Sequence, residues 1–289
     1  MDIRAILVGL AFAFMWSSAF TSARIIVSDA SPLMALSARY LISGLLGVGI
    51  ALALGQTWRL TKAQWRATII FGILQNAVYL GLNFVAMQTV QASLAAIIAS
   101  TMPLLVGLAT WIFLGEKLKP LGIAGLVAGV VGVSIIMGAR ISGGVDMMGL
   151  MLCGIGVLAL TAATLLVRGA TSGGNFMMVV GLQMLVGCVT LSLATVLFET
   201  PHITPSWTLL AAFAYTCLVP GLLATVVWFW LVNRIGATRA ATFHFLNPFF
   251  GVAVAAVLLS EPLGGQDILG VIIITFGILA VQISRQRAA

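Results

Sequence analysis

The chain has 289 residues, of which 61% are hydrophobic and only 7% charged, with a mean hydropathy of +1.17. A soluble domain carries about 25% charged residues, so this composition excludes a water-facing fold and leaves room for roughly ten helices of about 20 apolar residues each. The net charge of +7 is spread singly or in pairs at the ends of apolar runs, which is the pattern of membrane topology and not of a nucleic-acid surface.

Taken in chain order, the apolar runs predict ten spans, at about 4–27, 33–54, 67–88, 92–114, 119–138, 147–167, 176–198, 208–232, 238–259 and 267–284. The first run, Ala5 to about Ile26, is too long for a signal-peptide core and ends in no small-residue cleavage site. The breaks hold turn chemistry, as in Ser31-Pro32, Gly143-Gly144, Gly173-Gly174 and Gly264-Gly265. The runs are continuous and not alternating, so helices are expected instead of a barrel. Cys153, Cys188 and Cys217 sit in separate runs without metal or redox spacing and are expected to be packing residues.

Counting Lys and Arg by joint gives the orientation. Arg4, Arg59, Lys62, Arg66, Lys117, Lys119, Arg168, Arg234, Arg239, Arg285 and Arg287 fall on one side, eleven in all. Arg24 and Arg140 fall on the other, and Arg39 lies inside the second span. That segregation predicts both termini in the cytoplasm of a multi-pass bacterial inner-membrane protein.

Sliding the chain against itself by 145 positions exposes an internal repeat. Pro103 falls on Pro248, Glu116 on Glu261, Gly125 on Gly270 and Gly132 on Gly277, and ten of the 45 positions from 92 to 136 are identical. Each copy holds five spans. An odd number forces the second copy to enter from the opposite side, predicting two inverted halves, 1–139 and 146–289. The expected fold is therefore an all-α membrane protein of ten transmembrane helices in two inverted five-helix repeats.

Polar groups inside the spans are the candidates for a pathway, because hydrocarbon tolerates them only against protein or water. The first span offers Trp16, Ser17, Ser18 and Ser22. Trp16 is near mid-span, where it cannot be an interfacial anchor and either packs in the core or walls a pathway. The third span carries Asn76, Tyr79 and Asn83 at helical spacing, serving either helix–helix hydrogen bonds or a cavity. Thr161 and Thr164 occupy the corresponding depth in the sixth span. Pro103 and Pro248 each remove a helical hydrogen bond, to the carbonyls of Ala99 and His244, and are expected to act as hinges. Ser100, His244 and Asn247 cluster around these two prolines. Arg39 can snorkel toward its span end, as a structural or a pathway-lining group. Glu116 and Glu261 stand in hairpin joints and are expected to cap the helix that follows. The Gly125-x-x-x-Gly129 step predicts close helix approach.

At these residues the chain resembles the drug/metabolite transporter superfamily, in its ten-helix metabolite-exporter (EamA-type) branch. The resemblance lies in Ala92-Ser93-Leu94-Ala95-Ala96, Pro103-Leu104, Leu114-Gly115-Glu116-Lys117-Leu118, Gly125 and Gly132. It recurs as Gly236-Ala237-Thr238, Pro248, Glu261-Pro262-Leu263 and Gly270, with Trp16-Ser17 and Arg39-Tyr40 as further family-like positions. It implies a pathway lined by the first, third, fourth, sixth, eighth and ninth spans, and within the branch the chain looks most like the aromatic amino acid exporters. The four-helix multidrug exporters of that superfamily couple to protons through a membrane glutamate. Here no carboxylate lies between Asp2 and Asp29, and Glu116, Asp146, Glu199, Glu261 and Asp267 all fall at span ends. A facilitative carrier is favoured over a carboxylate-coupled one.

The expected function is export of amino acids or similar small metabolites by alternating access, with no cofactor, no nucleic acid, and a monomer or weak dimer in the bilayer. A proton-coupled drug or nucleoside exporter is the alternative. A channel or sensor is the alternative from another class. An enzyme is disfavoured, since His202 and His244 are the only histidines and no carboxylate is central. An ATP-driven pump is excluded by the lack of a GxxxxGK[ST] loop.

Overall fold

A computed structural model describes residues 3–116, 118–167 and 173–286. Lys117, Arg168 and Arg287 of the charge count lie outside the described residues. Among those described, ten helices are long and apolar enough to cross a membrane. They are Ile3–Asp29, Pro32–Ala53, Lys62–Ala86, Ala92–Leu114, Pro120–Ser142, Met147–Leu166, Phe176–Phe198, Trp207–Ile235, Arg239–Leu259 and Gly265–Ser284. Strand structure among the described residues amounts to one isolated bridge, Ala30 to Ile203. Large apolar side chains such as Phe113, Val196, Phe198 and Val257 are 79–80% exposed, which suits hydrocarbon and not water.

The third span begins at Lys62, earlier than the apolar run suggests. Thr61 and Gln64 form a reciprocal capping box there: the Thr61 hydroxyl accepts from the Gln64 amide and the Gln64 side chain accepts from the Thr61 amide.

By internal contacts the chain forms two compact units, and each draws on both sequence repeats. One comprises residues 1–21, 89–151 and 223–289, the other residues 22–88 and 152–222.

In the first unit the fifth and tenth spans pack backbone to backbone. A Cβ on Gly125 would lie 2.6 Å from the Gly277 carbonyl oxygen, and one on Gly132 2.9 Å from that of Gly270. Gly125 and Gly270 are repeat equivalents, as are Gly132 and Gly277. Each glycine therefore meets the repeat equivalent of the other glycine in its own span, the pairing that a two-fold axis between antiparallel copies produces. The inversion inferred from an odd span count is thus written in the contacts. The fourth span ends on Gly115 and the ninth on Ser260, both left-handed and again 145 apart, at φ 66° and 53°.

Joints are tied by buried and half-buried polar bonds. Both oxygens of Glu261 accept amides at the start of the fourth span, from Ala92 at 2.7 Å and Ser93 at 3.0 Å. Glu261 is thus a helix cap, as expected, but its helix is the fourth span and not the tenth that follows it. The inverted repeat brings the two joints together. Arg140 pairs with Asp267 at 3.0 Å and also donates to Gln91. Asp146 accepts from the Thr89 hydroxyl and from the Gly149 and Met148 amides, which hold its carboxyl below the ordinary carboxylate value. In the second unit Glu199 caps the second span in the same manner, accepting from Leu33 at 2.9 Å and Met34 at 3.1 Å. There Gly47 and Gly181 let the second and seventh spans cross closely, with a Cβ on Gly47 falling 3.2 Å from the Gly181 Cα.

Gly132→Ala is expected to lose about 1–3 kcal/mol, because the added methyl meets a backbone oxygen that cannot move aside. Gly138→Ala in the same span, with nothing within 4 Å of the added carbon, should leave the thermal-unfolding midpoint of the purified protein unchanged.

Candidate functional site

The fourth and ninth spans, bearing Pro103 and Pro248, are broken at repeat-equivalent places. The fourth is helical to Ser100, interrupted at Thr101, and restarts at Met102 with Pro103 in its first turn. The ninth runs as α-helix to Thr242, tightens into a 3-10 turn over Phe243–Leu246, and restarts at Asn247 with Pro248 in its first turn. Proline is tolerated in a first turn because its missing N–H would have had no intrahelical partner there. The carbonyl of His244, expected to be freed by Pro248, is taken by the Asn247 amide in the tighter turn. The ring of His244 and the side chain of Asn247 remain as the groups the break presents.

Around that break the first unit assembles an aromatic cluster. Phe12, Trp16 and Trp228 surround the His244 ring, with centroid separations of 5.2, 5.9 and 5.3 Å. Phe12 also lies 5.8 Å from Trp16 and 5.0 Å from Trp228. Phe12 is 1% exposed and forms the floor, whereas Trp16, Trp228 and His244 are half-buried. The Asn247 Nδ2 and the His244 Nδ1 are 2.9 Å apart. The Asn247 Oδ1 is buried without a hydrogen-bond partner, as are the hydroxyls of Ser17 and Thr21 on the first span. Orphaned buried acceptors are costly, and a ligand or water satisfies them.

Trp16, His244 and Asn247 are thus brought together as the sequence suggests. Phe12 and Trp228 were missed. Phe12 stands one turn before Trp16, on the same face, and that spacing was the available signal. Trp228 carried none, because the eighth span is apolar and aromatic throughout its second half. Ser100 donates to the Ala96 carbonyl at 2.6 Å and Ser18 to that of Met15 at 2.8 Å, so both hydroxyls bond within their own helices.

In the second unit the expected polar stripe divides between two neighbours. The third span passes through a π-helical segment, Gly72–Tyr79, which alters the register between Asn76 and Asn83. Asn76 donates to the Gln183 carbonyl at 2.9 Å and packs on Gly187, as a helix–helix bond to the seventh span. Tyr79 and Asn83 instead lie over Gly156 of the sixth span. Asn83 donates to the Tyr79 carbonyl at 2.8 Å, and its Oδ1 is buried without a partner. Thr161 and Thr164 each donate to a carbonyl one turn back, at 2.8 Å.

A separate polar cavity of about 410 Å³ opens in the first unit, bordered by Thr89, Gln91, Arg140, Asp146 and Asp267. It contains none of the substrate-site candidates named from the sequence; Arg140 and Asp267 pair with each other, and Asp146 accepts from the Thr89 hydroxyl.

Ten apolar spans in an inverted repeat, two of them broken at repeat-equivalent positions, define a polytopic membrane transporter. The chain belongs to the EamA-like transporter family, whose sequence profile matches it twice, over residues 3–138 and 147–283. It is 27% identical to the uncharacterized transporter YvbV of Bacillus subtilis over 92% of this chain and 88% of that one. Protein PecM of Dickeya dadantii is 23% identical over 82% of this chain and 80% of its own. A probable amino-acid metabolite efflux pump of Salmonella typhimurium is 27% identical over 56% and 58%. One crystal structure superposes over 99% of both chains with a TM-score of 0.67 at 19% identity, sharing the fold.

The burial pattern separates support from lining. Phe12→Ala is expected to cost about 3–5 kcal/mol, as for a fully enclosed ring, and to lower the unfolding midpoint clearly. Trp16→Ala, at a half-buried position, should lower it much less under the same conditions.

Proposed function

We propose that the protein carries amino acids or similar small metabolites across the bacterial inner membrane, outward and by facilitated alternating access. The observation that carries this reading is the aromatic cluster of Trp16, Trp228 and His244 at the broken ninth span, beside the unpartnered Asn247 Oδ1. Aromatic faces take an apolar or aromatic side chain. The amide oxygen and hydroxyls take the ammonium of a zwitterion, which needs several acceptors once it leaves water. The equivalent breaks at Pro103 and Pro248 supply places where the two repeats flex as substrate access alternates. The charge distribution supports a reading with both termini in the cytoplasm, and the likeness to a probable amino-acid metabolite efflux pump favours outward transport. Every carboxylate falls at a span end or in a joint, which favours substrate running down its own gradient over cation exchange.

Purified protein in proteoliposomes should show saturable uptake and counterflow of aromatic or small neutral amino acids, indifferent to an imposed pH gradient. His244→Ala and Asn83→Ala should each reduce that flux by about tenfold, the scale of one lost polar contact in a dry site, while the protein stays folded. Unchanged flux in either variant removes that residue from the site. Uptake that follows the pH gradient instead makes His244, the one ionisable side chain of the cluster, the coupling group. Very fast flux without saturation would replace the carrier with a pore.

A further inference from the structure

The second unit holds a cation for which the protein supplies no counter-charge. Arg39 lies in the second span and is 6% exposed, so the chain covers it and it does not snorkel to a lipid headgroup. Its Nε is buried without a hydrogen-bond partner, and among the described residues no acidic side chain reaches it. Residues 22–88 and 152–222 contain just two acids, Asp29 and Glu199. Both are committed elsewhere. Glu199 accepts the Leu33 and Met34 amides, and Asp29 accepts the Ser206 hydroxyl at 2.7 Å. The neighbouring Tyr40 ring lies 5.3 Å from the guanidinium carbon. A ring face does not neutralise a guanidinium, and an unpaired buried charge within hydrocarbon depth is among the costliest features a span can carry.

The backbone facing it is irregular and carries no side chain at the point of approach. The eighth span is π-helical over Cys217–Leu223, with Pro220 inside. This segment begins 145 residues after the π segment of the third span at Gly72. The same offset sets Gly221 against Asn76. In the third span the Asn76 side chain fills that position and bonds the facing helix. In the eighth the equivalent residue is a glycine. A Cβ there would stand 3.9 Å from the Arg39 Nη2, 3.4 Å from the Ser43 hydroxyl and 3.1 Å from the Thr216 carbonyl oxygen. One copy of the repeat places an amide side chain here, and the other brings bare backbone against a guanidinium.

We infer that Arg39, with the Ser43 hydroxyl and the side-chain-free backbone at Gly221, forms a subsite for a carboxylate of the transported solute. This rests on the carrier function proposed above and narrows its substrates to those bearing an anionic oxygen group. A guanidinium offers a planar fork matched to the two oxygens of a carboxylate. Ser43 now donates to the Cys217 carbonyl at a long 3.4 Å, a bond readily exchanged for a charged acceptor.

The test is ligand-induced thermal stabilisation of the full-length protein in nanodiscs. The probes are L-phenylalanine and 3-phenylpropionate, each paired with its carboxamide. Both acids are expected to stabilise the wild type saturably, with each amide about tenfold weaker, as for a lost charged hydrogen bond. Arg39→Gln should abolish the difference between acid and amide. Equal effects of acid and amide on the wild type, or an undiminished preference in Arg39→Gln, overturns the subsite. Stabilisation by 3-phenylpropionate through Arg39 with none by L-phenylalanine would sustain the subsite while defeating the amino-acid substrate. Should Arg39→Gln not purify as a monodisperse protein, Arg39→Lys decides. It keeps the charge and loses the fork, so acid binding about tenfold weaker with amide binding unchanged is expected, and undiminished acid binding overturns the proposal.

Discussion

Hydrocarbon supplies no hydrogen bonds, so every backbone amide and carbonyl that a helix releases at an end or a break has to be met by the protein itself. That constraint organises this chain. Glu199 and Glu261 each place a carboxylate across the first amides of a helix from another part of the chain, where the helix dipole also favours negative charge. The tightened turn at Phe243–Leu246 recovers the carbonyl that Pro248 would have left bare. Some side-chain groups nonetheless remain unmet, at Ser17, Thr21, Ser93, Asn247, Thr275 and Gln282 in one unit and at Asn83 and Arg39 in the other.

Inversion makes these devices possible at the cost of one extra demand. Two copies of a five-span segment running in opposite senses bring joints together that are far apart in sequence, such as those holding Glu261 and Ala92. They also require a seam tight enough to lock antiparallel helices. Lipid tails are as apolar as leucine, so the seam cannot depend on the hydrophobic effect and uses close backbone approach. The contacts of Gly125 with Gly277 and of Gly132 with Gly270 meet that demand, and their cross-pairing is what a two-fold axis imposes on duplicated glycines.

Much of this was legible in the sequence, because its strongest signals are of the kind that sequence carries. Apolar runs and their Gly, Pro and Ser breaks locate the ten spans within a few residues. The offset of 145 exposes the repeat through Pro, Gly and Glu, which govern backbone shape. What the sequence misplaces is set by three-dimensional partnership. Glu261 reads as the cap of the helix beside it, because nothing local announces that the fourth span begins next to it in space. Asn76, Tyr79 and Asn83 read as one stripe because the spacing assumes an α-helix, and a π segment has no residue signature that would have altered the count. Trp228 is one aromatic among several in its span until Phe12 and His244 are placed around it. The polar residues near the prolines were found because a break in hydrocarbon is rare enough for its surroundings to stand out.

The charges inside the spans then bear on what the carrier can move. A carrier that exchanges substrate for cations keeps a carboxylate in the membrane, whose protonation or ion binding neutralises it at each step. This chain has placed every acid at a helix end, where each described one is occupied in capping, pairing or hydrogen bonding. It has left a basic group, Arg39, inside. A buried guanidinium cannot shed its proton to relieve the charge, which is why the subsite proposed above sets it against an anionic solute. The sign of the uncompensated charge therefore points to the solute as the counter-ion, and away from a proton or metal cation as the species that alternates with it.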